Sequence, residues 1–144
     1  MGKPKEVDDR FKKFGTVSFT AITKVNDFIG YLEDGKVMGT CCAQCGRHFF
    51  PPRADCCDCL ESRMEWFAVG GAGRLVTFSE LKFGPMGFDK DLPYRIALLD
   101  YGDYKIFGRI GADLAQEQIQ VGMRMKTAAN RLPNGQLNYV FEKV

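Results

Sequence analysis

Two Cys-x-x-Cys pairs, Cys42-Ala43-Gln44-Cys45 and Cys56-Cys57-Asp58-Cys59, stand ten residues apart. Each pair can wrap one side of a metal as a knuckle and aim two thiolates at it. Two facing knuckles complete a tetrahedral thiolate site, the arrangement that suits zinc. Gly46 follows the first pair and can take the positive φ that lets knuckle amides reach the sulfurs. Pro51-Pro52-Arg53 stiffens the excursion between the pairs. The spacing therefore predicts a structural metal on Cys42, Cys45, Cys56 and Cys59, with zinc ahead. Iron in a rubredoxin-type site, or an Fe–S centre, is the alternative, because thiolates suit both metals. Leu60 rather than glycine follows the second pair, so rubredoxin-like symmetry is incomplete in the sequence.

All six cysteines lie between Cys41 and Cys59. A disulfide scaffold would be expected beside a secretion signal, but the first ten residues are charged and lack an apolar core. Glu6 stands where myristoylation wants Ser or Thr. No stretch approaches the roughly 18 apolar residues that span a bilayer. The expected compartment is the cytoplasm, with no membrane partner. Cys41 and Cys57 adjoin ligands and are expected to point away from the metal, without a role of their own. His48, the single histidine, is expected exposed on the hairpin of the ribbon.

The chain reads in three parts: an arm and amphipathic helix (1–36), a zinc ribbon (37–69) and a β domain (70–144). The first seventeen residues read as an extended arm. From Phe19, with Ser18 as N-cap, Ile22, Val25, Phe28, Ile29 and Leu32 recur at helical spacing, and Gly35 marks the end. That apolar face suits packing on the chain's own domain and docking on a partner equally well. Beyond the cysteines, strands are predicted over Met64–Val69, Gly73–Phe83, Arg95–Asp100, Lys105–Ile110, Met123–Arg131 and Leu137–Glu142. Tyr101–Tyr104 reads as a hairpin turn, Asp113–Gln118 as a short helical stretch, and Asn134-Gly135 as a tight primed turn. Five strands follow the ribbon, so the expected fold class is mainly β with an N-terminal helix: a rubredoxin-like ribbon, then a five-stranded OB-fold barrel. Gly84–Pro93 is a long, Gly/Pro-punctuated loop of a kind that is often functional.

No nucleophile–base–orienter set can be assembled around one histidine lodged in the ribbon. A zinc closed by four thiolates has no position for water, which argues against metal-assisted hydrolysis. Gly70–Gly73 precedes a strand rather than opening a helix, so it reads as a turn and not a phosphate loop. Arg47, Arg53, Arg63, Arg74 and Lys82 could grip phosphates, although a solvated face explains most scattered basic residues. Phe78, Phe83, Phe88 and Tyr94 could stack bases or simply pack a core. The net charge of +2 speaks against a dedicated nucleic-acid binder, which keeps an OB-fold single-strand binder as the rival from another class.

Gly39–Gly46, Pro51–Arg53, Cys56–Cys59, Trp66, Gly71–Gly73, Ala97–Asp100, Gly108–Ile110 and Val121–Met123 together resemble the acyl-CoA-associated zinc-ribbon/OB-fold family, over about Asp27 to the C-terminus. The resemblance implies an auxiliary subunit that is not catalytic alone. Its implied partners are thiolase-fold catalytic subunits or acyl-CoA hydratases, with coenzyme A or an acyl-CoA at the shared interface. Under it Arg47, Arg53, Arg74 and Lys82 become candidate contacts to coenzyme A or to the partner. The sequence departs from the family where Cys41 replaces a basic or polar residue and Cys57 a proline, and both changes fall on the knuckles.

Overall fold

The computed structural model describes Gly2, residues 6–18 and residues 22–144. The expected helix start at Ser18–Phe19 runs into residues 19–21, which lie outside these. The helix itself, α1, spans Asp27–Glu33. It begins well after the expected point because residues 24–26 form a turn, in which the Asn26 amide donates to the carbonyls of Thr23 and Asp8. Ile22 is accordingly exposed, while Phe28, Ile29 and Leu32 are buried. At the other end Gly35 takes φ +79, and the amides of Gly35 and Lys36 donate to the carbonyls of Leu32 and Tyr31 at 3.0 and 2.8 Å. That double closure requires a left-handed residue, which glycine supplies without strain.

Three strands form the ribbon sheet: β1 (Met38–Cys42), β2 (His48–Phe49) and β3 (Met64–Ala68), in the order β2-β1-β3 and all antiparallel. Five more close a barrel: β4 (Gly73–Leu81), β5 (Tyr94–Asp100), β6 (Lys105–Ile110), β7 (Arg124–Arg131) and β8 (Leu137–Lys143). Their order is β4-β5-β6-β8-β7. The barrel shuts where Gly73 and Arg74 pair with Met125 and Arg124, and β6 lies parallel to β8. Inward alternation from every strand gives a core of Leu75, Ala97, Leu99, Ile106, Ile110, Met125 and Phe141. Leu114 and Ile119 complete it from a segment in which only Gln116–Gln118 is helical, as one 3-10 turn. Among the described residues the fold is thus mainly β, with one α-helix, a ribbon and a five-stranded OB-type barrel, as the strand pattern predicts.

The β7–β8 hairpin differs from the expected primed turn. Gly135 alone has a positive φ, of 86°, and its amide donates to the Leu132 carbonyl, four residues forming an ordinary turn closed by a left-handed glycine. Pro133 presets the negative φ of the first central position, and this selects the longer loop over the Asn-Gly one.

A second core sews the three parts together. Phe28, Ile29 and Leu32 of α1 meet Val37 and Leu137, with Phe11, Phe14, Phe50, Trp66 and Tyr139 around them. The helix face therefore packs on its own chain. The arm does not run extended throughout. It makes a 3-10 turn at Arg10–Lys13, bridges Phe14 to Leu137, and ties to α1 through Arg10–Asp27 and Lys13–Glu33 ion pairs of 2.8 and 3.0 Å.

Gly39 on this frame admits no side chain. A Cβ at Gly39 would stand 2.6 Å from both the Phe49 carbonyl oxygen and the Phe67 ring, whereas one at Gly70 would meet nothing within 4 Å. Gly39→Ala is expected to destabilise the metal-loaded chain by about 1–3 kcal/mol through overpacking. Gly70→Ala is expected to stay within about 0.5 kcal/mol. Urea unfolding of the two variants beside the parent measures the difference.

Candidate metal centre and surrounding surfaces

The two knuckles are near copies in backbone geometry. The Gly46 amide donates to the Cys42 carbonyl at 3.0 Å, and the Leu60 amide to the Cys56 carbonyl at 3.1 Å. The Cys42 amide donates to Arg47 O, and the Cys56 amide to Glu61 O, both at 2.9 Å. Gly46 has φ +76 and Leu60 φ +61. The symmetry that Leu60 seemed to break is kept by forcing a leucine into the left-handed region, which costs an L-residue about 1–2 kcal/mol. Leu60 points its side chain into solvent, 81 % exposed, so its side chain has little packing that could add to that backbone cost.

Between the knuckles the sulfurs of Cys42, Cys45, Cys56 and Cys59 lie within 4.8 Å of one another. The Cys42–Cys59 and Cys45–Cys56 sulfur pairs are 3.5 and 3.6 Å apart. Thiolates about 2.3 Å from a shared tetrahedral zinc stand ~3.8 Å apart, so the donor set fits that ion in number, softness and spacing. Cys42 and Cys56 are buried, and Cys45 is exposed. Backbone amides of Cys45 and Gln44 hold the Cys42 thiol down to about 7, and those of Cys59 and Asp58 lower that of Cys56 in the same way. These N–H···S contacts favour the thiolate and hence the metal-bound state. Thr40, itself buried, anchors the excursion between the pairs. Its hydroxyl donates to the Arg53 carbonyl and accepts from the Arg53 amide at 2.9 and 2.8 Å.

Both surplus thiols lie outside the cluster. Cys41 donates to the Gly46 carbonyl at 3.3 Å, and burial pushes its thiol up. Cys57 is exposed, 3.7 Å from an Arg47 nitrogen. His48 is not the exposed hairpin residue expected. Its ring stacks on Tyr104 of the barrel at 5.8 Å and meets Phe67 edge-on at 4.8 Å, because β2 faces the ribbon–barrel seam.

The candidate basic contacts divide among surfaces. Arg47 and Arg53 converge over the Phe49 ring at 5.2 and 5.6 Å, and Arg47 also pairs with Asp58 of the facing knuckle. Arg74 and Lys82 stand exposed at the start of β4 and just beyond its end. Arg63 pairs with Glu61 at 3.2 Å. Of the four aromatic candidates, Phe78 packs on the barrel core, while Phe88 and Tyr94 lie against each other at 6.2 Å and Phe83 is exposed.

Sequence reasoning missed a groove of about 770 Å³ on the barrel wall, whose lining includes Tyr94, Arg95, Arg109, Asn130, Asn138 and Val140. Its three arginines all have partners, Arg95 in Glu80 and the Leu114 carbonyl, Arg109 in Asp91 and Arg131 in the Gly135 carbonyl. These residues are scattered over β5 to β8, and no local motif marks them.

Substituting any one of Cys42, Cys45, Cys56 or Cys59 by Ser is expected to abolish stoichiometric zinc, whereas Cys41→Ser and Cys57→Ser keep it. Metal analysis of the purified variants reads this directly. Metal binding needs all four sulfurs deprotonated, and although Cys42 is held near 7, burial and the neighbouring thiols push Cys45 and Cys59 up, so protons compete with the metal as pH falls. Chelator titrations at pH 8 and pH 6 should show zinc affinity lower at pH 6 by roughly tenfold or more.

Comparison with known proteins agrees with this architecture. The family model "ChsH2, rubredoxin-like zinc ribbon domain" matches residues 31–65, and "ChsH2, C-terminal OB-fold domain" matches residues 66–130. A DUF35 domain-containing scaffold protein of Methanocaldococcus jannaschii is 30 % identical over 98 residues, covering 67 % of this chain and 69 % of that one. A protein of the same description from Pyrococcus furiosus is 24 % identical over 132 residues, covering 92 % and 84 %. Among solved structures, a chain of the Ltp2-ChsH2(DUF35) aldolase superposes with a TM-score of 0.67 at 20 % identity, over 84 % of this chain and 95 % of that one. A DUF35 protein of unknown function from Sulfolobus solfataricus gives 0.53 at 20 % identity, over 82 % and 81 %. At such identity the structural likeness speaks for the fold. The paired model matches and the archaeal relative carry the assignment: this chain belongs to the DUF35 (ChsH2-type) family of zinc-ribbon/OB-fold proteins.

Proposed function

We propose that the chain is a non-catalytic, zinc-binding scaffold subunit of a thiolase-type acyl-CoA complex acting in the cytoplasm. The observation that carries this reading is the four-thiolate cluster, all of whose ligands come from the protein, in a family whose archaeal members are described as scaffold proteins. A site of that kind shapes protein and leaves no ligand position for substrate. The neighbouring fold in an aldolase named for two components supports association with an enzyme.

In this reading the parts divide as 1–36, 37–69 and 70–144. The ribbon and barrel shape or bridge a coenzyme A thioester site whose reacting groups belong to the partner. Arg47, Arg53, Arg74 and Lys82 are the proposed contacts to coenzyme A or to that partner. The specific system proposed is benzoylsuccinyl-CoA thiolase of anaerobic toluene degradation, with this chain as its small subunit.

Co-production with a thiolase-fold subunit is the test. A stable hetero-oligomer should form, thiolysis of benzoylsuccinyl-CoA should require both chains, and the isolated chain should have none. Water addition in place of thiolytic cleavage would shift the reading to an acyl-CoA hydratase subunit. Thiolysis by the isolated chain would refute it.

A further inference from the structure

Residues 82–93, between β4 and β5, carry the two most exposed large apolar side chains among the described residues, Met86 at 95 % and Phe83 at 88 %. The loop beneath them is ordered by its own contacts. The Phe88 amide donates to the Pro85 carbonyl at 3.1 Å, and the Asp91 amide to the Phe88 carbonyl at 2.9 Å.

Its base is clamped to the barrel and the arm. Arg109 of β6 lies over the Tyr94 ring at 4.2 Å and over Phe88 at 5.5 Å, and donates to Asp91 at 2.8 Å. The Thr16 hydroxyl of the arm joins the same carboxylate and accepts from Arg109 at 3.2 Å. Gly87, at φ +96, lies so close to the arm that a Cβ there would stand 2.6 Å from a Val17 methyl. The clamp presents Phe83 and Met86 on a loop whose conformation is already set, which removes most of the ordering cost of binding. Lys82 and Lys90 stand exposed on either side of this tip, and Asp89 is the one carboxylate there not taken up by Arg109.

We propose that this loop is the anchor by which the chain docks onto its enzyme partner, with Phe83 and Met86 entering an apolar pocket of that subunit whose rim is acidic. The inference rests on the scaffold reading above and adds the surface and the chemistry of its counterpart. Paired apolar anchors in a charged surround are the pattern that concentrates binding energy in a few residues. Burying each is worth roughly 10- to 100-fold in affinity.

The test uses the full chain, metal-loaded, and the purified thiolase-type subunit. Phe83→Ser/Met86→Ser should bind at least about 100-fold more weakly, with zinc content and melting temperature unchanged. Lys82→Glu/Lys90→Glu should weaken binding at low salt and differ little from the parent at high salt. Val121→Ser, another exposed apolar position, should bind as the parent does. A double serine variant that binds like the parent overturns the proposal while leaving the scaffold reading intact. Failure of the parent chain to bind the subunit overturns both. Loop-dependent pelleting with anionic phosphatidylglycerol vesicles, in place of subunit binding, overturns the proposal in favour of a lipid anchor.

Discussion

Four sulfurs hold the ribbon in shape, because almost nothing else in it can. Its buried cluster consists of Cys42, Phe49 and Cys56, with Cys59 and Met64 packed beside them. Two of the three buried members are ligands, so the apolar area available to drive folding locally is very small. In such modules metal binding stands in for a core, at about 10–16 kcal/mol for zinc-finger peptides. The amide groups aimed at Cys42 and Cys56 belong to the same economy, since they bias both sulfurs toward the ionised form that the metal needs. Leu60 shows how strongly the knuckle geometry is imposed. A bond from its amide to Cys56 requires a left-handed residue, and the leucine complies.

From the sulfurs the constraint spreads through the chain in both directions. Cys42 ends β1, whose register fixes β3 from Met64 to Ala68, and β3 hands the chain to β4 after four residues. Past the first knuckle, β2 delivers His48 to Tyr104, and Phe50 to Tyr139 at 5.0 Å and Phe28 at 6.0 Å. Phe50 belongs to the surroundings of both the barrel core and the helix core. The Tyr139 hydroxyl, which donates to the Phe107 carbonyl at 2.7 Å, is pushed up to about 12 by burial in this seam. Ribbon, helix and barrel are thereby joined by aromatic rings rather than by a flexible linker.

Features that depend on short spacings were legible in the sequence. The paired Cys-x-x-Cys motifs named the four sulfurs that converge, and alternation with turn residues located every barrel strand to within a few positions. Features settled by distant partners were not. The helix period ran back to Phe19, but the Asn26 side chain ties the turn before Asp27 to Asp8, eighteen positions away. Pro133 overrode the Asn-Gly signal one residue later. His48 looked exposed because its stacking partner, Tyr104, lies beyond three further strands. Arg109 stood in the sequence only within the strand motif Gly108–Ile110, and its clamp was not legible, since its partners come from the arm, the β4–β5 loop and β5.

In the scaffold reading proposed above, the closed metal site takes no part in chemistry on substrate, and the surfaces that the frame holds still carry the function. These surfaces are distinct. Arg47 and Arg53 share the Phe49 ring on the ribbon, while Arg74 and Lys82 sit near opposite ends of β4, eight residues apart, or roughly 26 Å along a strand. The groove on the barrel wall and the base of the loop share the Arg109 clamp, whose Tyr94 and Asp91 belong to both. A displacement of that loop would therefore reshape one wall of the groove through residues the two have in common. Rigid coupling between a docking element and a concave surface is what a subunit needs if it is to complete a site built mainly by another chain. The thiolate cluster is remote from this clamp in sequence, but the aromatic seam connects the two parts of the molecule on which they sit.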